Sequence, residues 1–236
     1  MKLRALIFDV DGTLAETEEL HRAAFNMAFR EAGLHWDWSE GIYHRLLKIT
    51  GGKERIAAWC AETGDFLSSA DIATLHANKT AAYTGMMAAG QITLRPGVDR
   101  ILGEARARGV MLAIATTTSG ANVEALARAV WGCTAREVFD VIAAGDEVAA
   151  KKPAPDIYRR ALVRLGVSPA VALAFEDSRN GLVAALGAGL RTVVTPSVYT
   201  AAEDFAGAWA VLPDLAGFHA FSATPTGIDQ GMAPLS

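Results

Sequence analysis

The chain has 236 residues, which suits one domain of about 150 residues carrying a smaller insert better than a string of modules. Its 22 Lys and Arg against 26 Asp and Glu leave a net charge of −4, which argues against a nucleic-acid or anionic-membrane surface. With 51% hydrophobic and 20% charged residues the composition is that of a folded protein, and disorder is excluded for most of its length. Cys60 and Cys133 lack CxxC spacing or clustered histidines, so neither a zinc site nor a disulfide is indicated and a cytoplasmic location is expected. Asp9 interrupts the N-terminal apolar stretch too early for a signal peptide, and no run reaches the roughly 18 apolar residues of a membrane span.

Residues 5–8 form a continuous apolar run that reads as a strand buried on both faces and stopped by Asp9-Val10-Asp11-Gly12. The stretch 15–88 then shows helical periodicity without a strong strand. Leu20, Ala24, Met27 and Ala28 share one helix face before Gly33, and Ile42, Leu46 and Ile49 mark another. Alternation follows: helix 98–108, strand 110–115 ending at Thr116, helix 122–131, strand 141–144, helix 155–165, strand 171–175 ending at Glu176-Asp177, helix 182–186 and strand 192–194. Gly109, Gly132, Gly166 and Gly187 follow the helices as the expected left-handed stops.

The expected fold is α/β, a Rossmann-like parallel sheet with helices on both faces and an α-helical cap inserted after the first strand. The core would comprise 1–15 and 92–218 and the cap 16–91, with linkers near 15–17 and 90–96. The cap would lie over the C-terminal strand ends as a lid, where ligands bind in such sheets. After Leu212 the chain is rich in Pro, Gly and Ser without periodicity, and 219–236 is expected to be a loose tail.

This topology delivers Asp9, Asp11, Thr116, Lys152, Glu176 and Asp177 to one edge of the sheet. Asp9 and Asp11, two residues apart in an extended segment, point the same way, and Gly12 permits the turn after them. Two further acids beside them call for a hard cation, and an oxygen-rich site suits Mg²⁺. A calcium loop beginning at Asp9 would need Gly at its sixth position and Glu at its twelfth, where Leu14 and Leu20 stand. A hairpin turn explains the Asp-Gly dipeptide alone and leaves the other strand-end residues unexplained. In the insert, the Gly51-Gly52 turn with Lys53 and Arg55 reads either as a second phosphate clamp or as a solvated helix N-terminus.

Asp9-Val10-Asp11-Gly12-Thr13-Leu14 resembles the first motif of the haloacid dehalogenase superfamily, in its two-aspartate phosphatase and phosphomutase form. Thr116 resembles the second motif, Lys152 in Lys151-Lys152-Pro153 the third, and Glu176-Asp177-Ser178 the fourth, all in order over about residues 3–211. The resemblance implies that Asp9 is the nucleophile and Asp11 the general acid and base, with Thr116 and Lys152 stabilising the phosphoryl group. Asp9, the Asp11 carbonyl, Asp177 and Glu176 would hold Mg²⁺, and Lys151 is expected at the surface.

The insert, beginning Glu16-Thr17-Glu18-Glu19-Leu20-His21, is similar to the lid of the β-phosphoglucomutase-like subgroup, which implies sugar contacts for Glu16 and His21. Gly51, Gly52, Lys53, Arg55, Thr117 and Asn122 complete the expected substrate-binding set. Within the subgroup the chain looks like the CbbY-type phosphatases, through Thr50-Gly51-Gly52-Lys53-Glu54-Arg55-Ile56 and Lys151-Lys152-Pro153-Ala154-Pro155-Asp156. That likeness alone implies xylulose 1,5-bisphosphate as substrate, with xylulose 5-phosphate as product. A phosphomutase shares every motif, and a non-catalytic sugar-phosphate sensor is a third reading that the intact motifs disfavour. The expected partner is a small sugar phosphate or bisphosphate, not nucleic acid or membrane; the oligomeric state stays open, a monomer included.

Overall fold

The computed structural model describes residues 2–90 and 92–221. Its sheet contains β1 (Ala5–Phe8), β2 (Met111–Ala115), β3 (Val141–Ala143), β4 (Ala172–Glu176), β5 (Arg191–Val194) and β6 (Ala210–Val211). The spatial order is β3-β2-β1-β4-β5-β6, and every pairing is parallel. Parallel neighbours need crossovers, and helices supply most of them. They are α5 (Val98–Ala107) before β2, α6 (Gly120–Trp131) and α7 (Ala135–Val138) between β2 and β3, α8 (Asp156–Leu165) before β4, and α9 (Arg179–Gly187) before β5.

Strand side chains alternate between two apolar layers. Leu6 and Phe8 join Leu112, Ile114, Leu173 and Phe175 against α5 and α6, while Ala5 and Ile7 join Ala113, Ala115, Ala172 and Ala174 against α8 and α9. The register sets Phe8 beside Ile114 and Phe175, so β1, β2 and β4 end level with one another. The strand order reverses at β1, and the crevice between the ends of β1 and β4 is where such sheets take ligands.

Between β1 and β2 lie α1 (Glu18–Glu31), α2 (Glu40–Leu47), α3 (Gly52–Thr63) and α4 (Ser69–Ala88). They enclose their own apolar cluster of Phe25, Phe29, Trp38, Tyr43, Leu46, Ile56 and Leu75, sealed where Asn26 hydrogen-bonds both the N–H and the carbonyl of Trp38. The two linkers run side by side: Ala15 bridges Leu94, and the Arg95 N–H donates to the Leu14 carbonyl at 2.8 Å.

Local pattern and structure part in three places. The buried face of α1 is His21, Ala24, Phe25, Ala28 and Phe29, with Leu20 and Met27 only half-buried, because α1 covers the cap cluster and the cleft together. Gly187 lies inside α9, where a β-carbon would stand 3.3 Å from Pro155; the left-handed residue is Gly189, at φ 80°. Beyond Leu212, Leu215 and Phe218 are buried in the α5 side of the core, so tertiary contacts order a stretch that lacks periodicity. Residues 222–236 of the expected tail lie outside the described residues.

Candidate active site

Asp9 follows β1 directly, and its N–H donates to the Phe175 carbonyl at 3.0 Å, which carries the β1–β4 pairing one residue past the strand. Lys152 donates from Nζ to Asp9 Oδ1 and to Glu176 Oε1, both at 2.6 Å. Tyr158 on α8 donates its hydroxyl to the same Glu176 oxygen at 2.5 Å. The other Glu176 oxygen accepts the Asp177 N–H at 3.3 Å and lies where a β-carbon on Gly181 would stand, 1.9 Å away, so only glycine fits there.

Asp9, Lys152, Glu176 and Asp177 are each at most 6% exposed. Burial raises the Asp9 carboxyl to about 7, with Glu176 and Asp11 adding to the rise and Lys152 opposing it. Burial with the charges of Asp9 and Glu176 carries Asp177 well above its ordinary value. Desolvation opposes the charge on Lys152, but Asp9 and Glu176 outweigh it and hold the ammonium above its usual range. Oxygens of Asp9, Glu176 and Asp177 all lie within 4.8 Å of one another. Three buried carboxylates around one ammonium keep an excess of negative charge, and their all-oxygen donor set fits a hard divalent cation.

The Asp11 side chain joins the cap instead of this group. Its Oδ1 accepts from Thr17 Oγ1 at 2.6 Å and lies 3.0 Å from His21 Nε2. On the far side of the imidazole, Nδ1 meets Lys79 Nζ at 2.6 Å, and the ring stacks on Tyr83 at 3.9 Å. An ammonium only donates, so the arrangement closes with Nδ1 accepting from Lys79 and Nε2–H donating to Asp11. Burial pushes Lys79 down to about 7. His21 is lowered by burial and by Lys79 against the pull of Asp11. For Asp11, burial is outweighed by His21, Thr17 and Lys79, which hold its carboxyl below the ordinary range.

Between core and cap is a cleft reached by Asp9, Asp11, His21, Lys79, Lys152 and Asp177. Gly51, Gly52, Lys53 and Arg55 line it at the start of α3, where Gly51 takes φ 104°. Arg55 donates to the Ile49 carbonyl at 3.0 Å and to the Tyr43 hydroxyl at 3.3 Å, so it packs within the cap as well as facing the cleft. Thr117 and Asn122 line the core wall. Asn122 Nδ2 donates to Thr118 Oγ1 at 2.7 Å, and its Oδ1 has no partner among the described residues. Thr116 is buried, accepts the Thr118 N–H at 3.2 Å, and leaves the cleft surface to Thr117, Thr118 and Ser119.

Three expected placements change, the first being Thr116, which was expected to stabilise the phosphoryl group and is buried without lining the cleft. Glu16 lies outside the cleft, 3.3 Å from Arg95 Nε. Glu18, in the first turn of α1, lines the cleft instead and accepts the Tyr43 hydroxyl at 2.7 Å. Lys151 is no free surface lysine: it reaches from the core to Glu54 of the cap at 2.8 Å, with its side chain 16% exposed. Asn180 adds a second core-to-cap contact, to Thr50 Oγ1 at 3.2 Å.

Residues 3–189 match the haloacid dehalogenase-like hydrolase family. The chain belongs to that family. A curated relative, Protein CbbY of Rhodobacter capsulatus, is 57% identical over 215 residues, covering 91% of this chain and 95% of the relative. The crystal structure of CbbY from Rhodobacter sphaeroides in complex with phosphate matches with a TM-score of 0.89 at 55% identity, over 91% of this chain and 95% of that one. A variant of the same protein, in complex with xylulose-(1,5)bisphosphate, matches with a TM-score of 0.89 at 54% identity, over 92% and 96%.

This haloacid dehalogenase-like hydrolase is therefore an enzyme of the phosphatase class, with its strand-end residues gathered at one sheet edge. Among the described residues, no helix is long and apolar enough to cross a membrane. Lys79, Glu18 and Tyr158 are not among the residues the sequence marks for the site. Tyr158 could be placed on the buried face of α8 from periodicity, but its hydroxyl contact depends on tertiary position. Lys79 stands 58 residues from His21, and no local pattern joins them.

Proposed function

We propose that the chain is a Mg²⁺-dependent phosphatase of sugar bisphosphates that works through a phosphorylated Asp9. The observation carrying this reading is the buried Asp9–Lys152–Glu176–Asp177 group facing Lys53, Arg55 and Lys79 across one cleft. The strand-end group is suited to the phosphoryl group that is cleaved, and the cap cations to the one that is kept. Xylulose 1,5-bisphosphate, bound by a CbbY variant of closely similar fold, has the two anionic ends this arrangement requires.

In the proposed reaction an Asp9 oxygen attacks phosphorus as the bond from phosphorus to the sugar oxygen breaks, giving an aspartyl-phosphate. Asp11, ionised while it accepts from Thr17 and His21, must take up a proton before it gives one to the departing oxygen, and later takes one from the water that hydrolyses the intermediate. Lys152 and hydrogen-bond donors at the end of β2 stabilise the phosphoryl oxygens. Asp9, the Asp11 carbonyl, Asp177 and Glu176 would hold Mg²⁺, which supplies charge to bring nucleophile and phosphate together. The cap, tied to the core by Lys151–Glu54, excludes water while the sugar departs.

The test is a screen of sugar mono- and bisphosphates with and without Mg²⁺, with products identified by mass and NMR. The expected result is free phosphate and sugar monophosphate from xylulose 1,5-bisphosphate, abolished by chelation and restored by Mg²⁺. Formation of an isomeric sugar phosphate would make the enzyme a mutase, and binding without turnover would make it a sensor.

A further inference from the structure

Both cap linkers meet at one side chain outside the cleft. Arg95 lies in the second linker, its side chain 9% exposed, with Nε 3.3 Å from Glu16 Oε1 in the first. One terminal nitrogen donates to the Gly12 carbonyl and, at 2.6 Å, to the Thr195 carbonyl. The other donates to the carbonyls of Pro196 at 2.9 Å and Pro213 at 3.2 Å. A planar guanidinium can hold these partners at once, whereas a lysine ammonium presents three donors at a single point.

The Gly12 carbonyl is the consequential partner. Gly12 follows Asp11 directly, takes φ 79°, and stands where a β-carbon would be 2.3 Å from Asp177 Oδ2. Val10 and Leu14 pack into the core on either side, but Gly12 has no side chain of its own to hold, and hydrogen bonds fix it: its N–H donates to the Ala15 carbonyl, and its carbonyl accepts from Arg95. Thr195 and Pro196 belong to the segment after β5, where Thr200 donates to the Asp177 carbonyl at 2.7 Å. One guanidinium thus joins the Asp11 turn, the Asp177 side of the site and both cap linkers.

We infer that Arg95 is a positioning residue: by fixing the Gly12 carbonyl and, through Glu16, the departure of the first linker, it sets the aim of Asp11 at the leaving oxygen. The inference rests on the proposed acid role of Asp11. Displacing a reacting group by about 1 Å can cost on the order of 10²-fold in rate. Arg95→Lys keeps the charge but loses the fork, and is expected to lower kcat on the sugar bisphosphate by about 10- to 100-fold, with KM within about twofold.

The distinguishing readout is leaving-group dependence in single-turnover phosphorylation. The defect of Arg95→Lys should shrink with p-nitrophenyl phosphate, whose leaving group needs little proton donation, and Glu16→Gln should show the same pattern more weakly. A merely structural loss would lower both substrates equally, so equal defects, or wild-type kcat in both variants, would overturn the inference. If Arg95→Lys does not fold by circular dichroism, Glu16→Gln decides alone. Asp11→Asn, measured beside them, separates the two ideas. Leaving-group dependence there but not in the hinge variants removes the role of Arg95 only, while its absence in Asp11→Asn removes the acid reading and this inference with it.

Discussion

The core wall of the cleft gathers three buried carboxylates around one ammonium, that of Lys152; the cap wall sets Lys53, Arg55 and Lys79 beside the carboxylate of Glu18. Among the residues named, carboxylates outnumber cations on the core wall and cations outnumber carboxylates on the cap wall. They also differ in how their residues are held. The core acids leave strands whose pairing fixes their spacing, while the cap groups project from helices joined to the sheet by two short linkers. Chemistry that tolerates little displacement thus sits on the sheet, and groups that meet variable parts of a substrate sit on the insert.

Removing the proposed nucleophile from the core wall should have the largest effect. Asp9→Asn is nearly isosteric and removes one of the crowded negative charges, so steady-state phosphate release should fall to background while the melting temperature is not lowered. Turnover by a folded Asp9→Asn protein would take the nucleophile role from Asp9. The cap wall should break more softly. A charge-assisted contact is worth roughly 1.5–3 kcal/mol, so Lys53→Ala and Arg55→Ala should each lower kcat/KM on a bisphosphate by about 10- to 200-fold, and on a monophosphate far less. Lys53 is the cleaner test, because Arg55 also holds the Ile49 carbonyl and the Tyr43 hydroxyl. Equal losses on both substrates would dissolve the proposed division of labour between the walls.

Lys79 sharpens the comparison through stability. Burial lowers it from 10.5 to about 7, so between these values the unfolded chain binds the extra proton and native stability rises with pH. The slope is at most about 1.4 kcal/mol per pH unit, and below about pH 7 the whole cost of burying the charge is present. Lys79→Met should therefore stabilise the fold most near neutral pH, with the advantage narrowing toward about pH 10 in denaturant unfolding. A constant difference across that range would show that the lysine charge is not what the cap opposes.

The same division decides what could be read from the sequence. Asp9, Thr116, Glu176 and Asp177 follow apolar runs, and a run that ends a parallel strand points to one edge of the sheet, so their convergence was legible. Lys152 belonged to the same ordered set, although its two partners required the fold. In the cap α1, α2 and the start of α3 were legible, but neither α4 nor the phase of the helices toward the cleft. Glu16 and Glu18 are two residues apart, yet only the second lies on a helix, and the first turns to Arg95. Lys79 is buried on α4, whose apolar residues are spread around the helix, so periodicity could not mark it as internal. Leu215 and Phe218 were missed for a related reason: their burial comes from distant strands and helices, and no neighbour in sequence announces it.

The position of β1 in the middle of the sheet has a consequence for synthesis. Its four buried residues come well before their partners in sequence, which begin at Met111 on one side and Ala172 on the other. As the chain emerges from its N-terminus, the cap helices, with an apolar cluster of their own, are complete before β1 has either neighbour. Pairings so distant in sequence carry a large loop-closure cost and form slowly. The strand that ends at Asp9 must therefore wait for Ala172–Glu176 before both its edges are covered, and a nascent protein would hold the cap helices beside a sheet that has not yet closed around β1.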